Sequence, residues 1–297
     1  MNFSFKLFSR SIKKYYMAIF SMDTHQLIPS LTFFFIIFHY YFSAFPEYGV
    51  GHPFMFTTFT FLLLLFFLFP KLIHNFYFWT PLVGYYWIFL IDSWLICQNH
   101  DILWGYWLLV ILTNCLVPQD RKTKFLSLNA SLLIAFVFLF SIIHKAISPD
   151  FLSGNILYYQ LLFSTRFYFL DAIFPFNYLD ILESNLIKLL NLQENFVPFN
   201  FKFIPPQIYS LAQFLSWTVY GLELLISILF FFPKHFKLIR YRDFFLLVFI
   251  FSIYFILQLN GFIFLMVLLG MSQTSSKDIL ARSLYIFSTL FYITLIT

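Results

Sequence analysis

Long apolar runs alternate with short polar breaks along the whole chain. The runs fall near 27–45, 53–69, 76–97, 102–117, 125–143, 208–232, 244–259, 261–272 and 283–297. A helix rises about 1.5 Å per residue, so about 20 apolar residues, and about 17 at the least, cross the hydrocarbon core of a bilayer. The pattern therefore predicts an all-α polytopic membrane helix bundle of about eight or nine transmembrane helices. Around Asn260-Gly261 it allows either two short helices meeting at a turn or one long kinked helix. The first run follows a basic stretch, as in a signal peptide. Ser43-Ala44-Phe45 is a poor cleavage site, however, and the run reads as a helix.

One interval is different. Residues 144–207 are not a hydrophilic domain: 156–174 is apolar but carries Arg166 and Asp171. Within 178–192, Leu179, Leu182, Leu186, Leu189 and Leu190 share one helical face, with Asp180, Glu183 and Lys188 elsewhere. That spacing predicts an amphipathic helix lying in the membrane interface, with Leu182, Leu186 and Leu189 turned to lipid or to the bundle.

Composition supports a lipid environment. Apolar residues make up 61% of the chain and charged residues only 10%. A soluble domain averages about 25% charged residues, and a water-facing surface cannot be covered with so few. The formal charge of +5 raises the question of a nucleic-acid partner. The cations lie in short breaks between runs and form no single patch, so no nucleic acid is expected and the bilayer itself is the expected partner. Their placement reports orientation. Lys6, Arg10, Lys13, Lys14, Lys71, Arg121, Lys122, Lys124, Lys234, Lys237, Arg240, Arg242, Lys277 and Arg282 all fall on one side of an alternating bundle. Lys145, Arg166, Lys188 and Lys202 fall on the other. The positive-inside rule then places the N-terminus in the cytoplasm and 46–52, 98–101 and 144–207 outside. Residues 1–26 read as a basic cytoplasmic segment and 27–297 as the transmembrane domain. Cys97 and Cys115 are about 25 Å apart on a helical reading, too far for a disulfide, and are expected as free thiols.

Ionisable residues inside a membrane are costly and commonly mark a site. Asp92 lies in the third run, Glu223 in the sixth and His39 in the first. Asn99, His100 and Asp101 occupy the turn before the fourth run, and His144 and Lys145 the outer end of the fifth. This topology puts Asn99, His100, His144 and Lys145 on one membrane face, with Asp92 and Glu223 roughly mid-bilayer below. A lysine partly buried there gives up its proton more readily and can act as a base or nucleophile. The structural alternatives are a Lys145 that snorkels to the headgroups, and an Asp92 or Glu223 that makes a hydrogen bond or pair between helices. His52, His100 and His144 have no metal-binding spacing, so no metal is expected.

Three segments resemble, in order, the membrane domain of vitamin K-dependent γ-carboxylase and its bacterial relatives, the horizontally transferred transmembrane (HTTM) family. Leu90-Ile-Asp-Ser-Trp-Leu-Ile-Cys-Gln-Asn-His-Asp-Ile-Leu looks like the family's Asn-His-x-x-Leu turn. His144-Lys-Ala-Ile-Ser-Pro-Asp-Phe-Leu-Ser-Gly looks like its lysine-to-aspartate segment at a helix end. Gly221-Leu-Glu through Asn260-Gly-Phe-Ile-Phe-Leu-Met looks like its acid-bearing helix, basic loop and following helices. Together they cover roughly 90–270. The resemblance implies Lys145 as the catalytic base, an amine with no adjacent carboxylate, supported by Asn99 and His100. His144, Asp92 and Glu223 would line the substrate site. It implies a reduced quinone as co-substrate, with a lipid or secreted peptide as further partners. Lys145 stands five residues before Asp150, one more than in the family pattern, which would rotate it by about 100° unless a local bulge restores it.

Two functions follow. One is a γ-carboxylase-like integral membrane enzyme acting at the extracytoplasmic face on a quinol, lipid or peptide. The other is a non-catalytic HTTM protein that assists maturation or export of, or immunity to, a secreted peptide. A pocket reached by both Lys145 and His100 favours the first, and a filled, dry interior the second.

Overall fold

The computed structural model describes residues 22–39, 53–92, 99–164, 167, 170, 171, 178–195, 206–232, 237–256 and 260–296. Among these residues the protein is all-helical, with no strand. Twelve α-helices follow in order. They are α1 (Thr24–His39), α2 (Pro53–Leu68), α3 (Phe76–Asp92), α4 (Asn99–Leu116), α5 (Lys122–Ile147), α6 (Pro149–Leu152) and α7 (Asn155–Phe163). The remainder are α8 (Tyr178–Asn195), α9 (Pro206–Phe231), α10 (Arg242–Ile256), α11 (Asn260–Gln273) and α12 (Ile279–Ile296). Short 3₁₀ turns fill Pro70–His74 and Lys237–Tyr241. Every apolar run read from the sequence carries a helix. Cys97, His52 and the side chain of His39 lie outside the described residues.

Among the described residues, two helices are long and apolar enough to cross a membrane: Lys122–Ile147, with mean hydropathy 2.4, and Pro206–Phe231, with 1.8. Each has 26 residues and is therefore about 39 Å long, against about 30 Å of hydrocarbon. α5 contains neither proline nor glycine. It stops at Ile147 because Pro149 forces Ser148 into an extended conformation, φ −81° and ψ 111°. Pro206, whose missing N–H costs a first turn nothing, opens α9. Thr24–Phe38, Gly261–Gln273 and Ile279–Ile293 are shorter apolar helices.

The chain divides into two compact units, residues 1–134 with 259–297, and residues 135–258. In the first, α11 is buried on all sides, from Ile263 through Met271. Its uniformly apolar sequence, without a polar stripe, suits that central position. Phe264 of α11 meets the rings of Phe35, Phe38 and Tyr292 from α1 and α12 at 5.2–5.8 Å. Several buried polar groups of this unit are paired. Trp104 Nε1 donates to the Gly261 carbonyl at 2.9 Å, and Trp107 Nε1 to Thr32 Oγ1 at 3.1 Å. The buried Arg282 guanidinium donates to the Met22 carbonyl and to Thr24 Oγ1, at 2.7 and 2.6 Å.

In the second unit, Phe138 packs on Phe249 and Phe136 on Phe231, which joins α5 to α10 and α9. A separate cluster of Leu157, Leu161, Tyr178, Leu182, Ile208 and Ala212 binds α7 and α8 to the first half of α9. The 178–192 segment is helical, as its leucine spacing predicts. Leu182 is fully buried, Leu186 half-buried against this cluster, and Asp180 and Glu183 are exposed. The Asp171 carboxylate accepts the Leu179 N–H and so satisfies an otherwise free donor at the start of α8. The Tyr178 hydroxyl donates to the Leu161 carbonyl at 2.5 Å, near the C-terminus of α7.

Candidate functional site

Ser141 and Lys145 are four residues apart on α5, so both side chains leave the same helical face. Opposite them on α9 is Glu223. Lys145 Nζ lies 2.5 Å from Glu223 Oε1, and the Ser141 hydroxyl donates to Glu223 Oε2 at 3.0 Å. Both carboxylate oxygens are thereby engaged. The pair is mostly withdrawn from solvent, with side-chain exposures of 18% for Lys145 and 6% for Glu223. The Phe151 ring covers the ammonium at 4.8 Å, close enough for a cation–π contact. Four residues of the second unit therefore form one cluster of an ammonium, a carboxylate, a hydroxyl and an aromatic face.

Lys145 is the residue turned inward, while His144 and Ala146 are exposed on either side of it. Lys145 therefore does not snorkel to the surface. The expected amine without an adjacent carboxylate is corrected: Glu223, foreseen as lying well below, is in direct contact with it. The lysine stem reaches along α5 toward Ser141, which closes the separation in depth. Asp150, the aspartate of the family-like segment, is exposed and accepts a hydrogen bond from Asn155 Nδ2 at 3.2 Å.

The other expected residues lie elsewhere. Asp92 is exposed at the end of α3. Asn99 is exposed at the start of α4, followed by a half-buried His100 whose Nε2 is 3.8 Å from Asp101 Oδ1. Asp92, Asn99 and His100 belong to the first unit, and His144, Lys145 and Glu223 to the second. Ser141 was missed because a lone serine in an apolar run carries no signal. Its position four residues before Lys145 is the only clue the sequence offers. No protein-family model, no curated protein and no solved structure matches this chain, so the family resemblance stands on its motifs alone.

Proposed function

We propose that this chain is a multi-pass membrane protein whose reactive centre is the Lys145–Glu223 pair. The apolar runs would form the eight or nine crossings, with the N-terminus in the cytoplasm and 144–207 outside. One feature supports the membrane reading beyond the two helices of spanning length. Exposed apolar side chains recur along many helices, among them Phe61, Phe67, Ile88, Phe140, Phe214 and Phe287. Water-facing helices rarely carry such faces, whereas lipid requires them.

We infer a carboxylase-like enzyme acting at the outer face, and the observation that carries this is the 2.5 Å contact between Lys145 and Glu223. An ionisable pair among apolar helices has a high desolvation cost, which a role in chemistry explains. Transfer of one proton from Lys145 Nζ to Glu223 Oε1 gives a neutral amine beside a carboxylic acid. The amine can then accept a proton from a substrate hydroxyl. Ser141 holds the second carboxylate oxygen throughout, and Phe151 keeps water from the amine. A reduced quinone would suit this donor set, with Lys145 and Glu223 to engage its hydroxyl and Phe151 as an aromatic neighbour. When bound it would supply the acidic hydroxyl and the electrons of the reaction.

One observation favours the second reading, a non-catalytic protein serving a secreted peptide. Lys145, Glu223 and Ser141 satisfy one another, as a purely structural clamp between α5 and α9 would. Lys145→Arg separates the two, because guanidinium can pair with Glu223 but cannot act as a base. The assay is hydroquinone-dependent incorporation of labelled CO2 into a glutamate-containing peptide by the purified full chain. The enzyme reading predicts loss of about 10²-fold or more in both Lys145→Ala and Lys145→Arg, with folded protein in each case. No turnover by the wild-type chain, together with peptide maturation retained by Lys145→Arg, would establish the clamp instead.

A further inference from the structure

A cavity of about 350 Å³ opens in the first unit, between the start of α1, the Pro70–His74 turn, the end of α4 and the start of α5. Its volume is within the range of small-molecule sites, roughly 300–1,000 Å³. Met22, Pro29 and Ile73 give it an apolar side, and His25, His74, Asn114, Gln119 and Lys122 a polar one. It shares no residue with the Lys145–Glu223 cluster and does not depend on that reading.

Two of its polar groups have unmet demands. Asn114 is 3% exposed and, among the described residues, its carbonyl oxygen Oδ1 has no hydrogen-bond partner. A buried acceptor left unpaired costs about 1–3 kcal/mol, so a donor belongs there. Lys122 is half-buried, and among the described residues no carboxylate lies within ion-pair distance of its amine. It is also the first residue of the 26-residue α5, so the positive end of the helix dipole falls at the same rim. His25 is already engaged: its Nε2 is 2.6 Å from the Gln119 amide nitrogen and its Nδ1 3.2 Å from Thr123 Oγ1. Partial burial, with Lys122 and His25 nearby, pulls the His74 imidazole below its ordinary value, so Lys122 rather than His74 supplies positive charge to the site. A soft metal would find two imidazoles and the Cys115 thiol around the cavity. Among the described residues, though, no three such groups are placed to close on an ion, and Lys122 would repel one.

We infer that this cavity binds a phosphate-type anion that also offers a hydroxyl, its charge against Lys122 and its O–H donated to Asn114 Oδ1. Two sources share that chemistry: the headgroup of an anionic phospholipid and a free phosphate. Under the positive-inside orientation the cavity faces the cytoplasmic leaflet, where both occur. Cys115 provides the readout, because its half-buried thiol lines the cavity.

The test uses the full chain in detergent with Cys97→Ser, which leaves Cys115 as the one thiol. Its rate of labelling by a small maleimide is measured during titration with short-chain phosphatidylglycerol, short-chain phosphatidylcholine or inorganic phosphate. Phosphatidylglycerol should slow labelling several-fold at saturation, while phosphatidylcholine, zwitterionic and without a hydroxyl, should not. Protection by inorganic phosphate alone, as strong as by the lipid, assigns the site to free phosphate; protection by the lipid only assigns it to the headgroup. Lys122→Gln should raise the apparent dissociation constant about tenfold or more, and Asn114→Leu should weaken protection as well. Native mass spectrometry of the same samples counts bound phosphatidylglycerol without using the thiol. Equal protection by both lipids, unchanged protection in Lys122→Gln, or neither protection nor a bound adduct would overturn the assignment.

Discussion

Glu223→Ala should destabilise the protein by about 3–5 kcal/mol, the cost of leaving one member of a buried ion pair without its partner. The magnitude follows from burial. Glu223 is 6% exposed and accepts from both Lys145 and Ser141, so its removal strands a mostly buried ammonium with only the Phe151 ring beside it. For a chain of this size that is a fall in melting temperature on the order of 10 °C in detergent. Replacing both partners with apolar residues of similar volume, Lys145→Met with Glu223→Leu, removes the charge and its desolvation cost together. The double variant should therefore melt within a few degrees of the wild type or above it. If the clamp were energetically idle, Glu223→Ala would melt like the wild type. If each residue acted independently, the double variant would be worse than either single one. A double variant that is stable yet inactive would separate the function of the pair from its structural contribution.

Gly154→Ala should destabilise the second unit by about 2–4 kcal/mol, through two effects that act together. Gly154 has φ +88°, in the left-handed region that costs an L-residue about 1–2 kcal/mol. A Cβ there would also meet the Gln213 Cα and backbone nitrogen at 2.8 Å and the Ala212 carbonyl carbon at 3.2 Å. Those atoms are helix backbone in α9 and cannot swing away like a side-chain tip. The close approach lets the Tyr209 hydroxyl reach the Ser153 carbonyl at 3.0 Å and seats Ala212 in the cluster beneath α7 and α8. Gly221→Ala is the matched control, since Gly221 is exposed on α9 and nothing lies within 4 Å of a Cβ there. It should be neutral, or stabilising by about 0.5–1 kcal/mol from helix propensity. Thermal unfolding of both purified variants checks the contrast; equal melting temperatures would show that the Gly154 approach is dispensable.

The helices were legible because long apolar runs separated by short polar breaks are each long enough for several helical turns. Their ends were less so. The apolar run 125–143 marks part of α5, but the helix extends to Lys122 and Ile147, since Lys122, His144 and Lys145 are helical without being apolar. Hydropathy reports where the apolar run ends, and capping chemistry where the helix ends. Thr24 opens α1 ahead of the apolar run at 27 for the same reason. The ionisable residues Lys145 and Glu223 stood out singly as anomalies in apolar runs. Their contact did not, because residues 78 apart in sequence meet only through packing of α5 on α9. Asp92 stood out in the same way. It lies within the run 76–97, where a carboxylate is conspicuous, and the sequence could not show that its side chain is exposed on α3. The cavity around Asn114 left no trace in the sequence, since its polar residues come from four separate segments.

Whether the Lys145–Glu223 centre serves the outer face depends on which side of the membrane α6 and α7 occupy, and labelling a single cysteine measures that directly. With Cys97 and Cys115 replaced by serine, one cysteine is placed at Ser153, just beyond α6, or at Lys277, exposed between α11 and α12. Intact cells are treated with a membrane-impermeant maleimide before and after permeabilisation. The proposed topology predicts that Ser153→Cys is labelled in intact cells and Lys277→Cys only after permeabilisation. Labelling of Ser153→Cys only after permeabilisation would put the centre on the cytoplasmic side and contradict the proposed function.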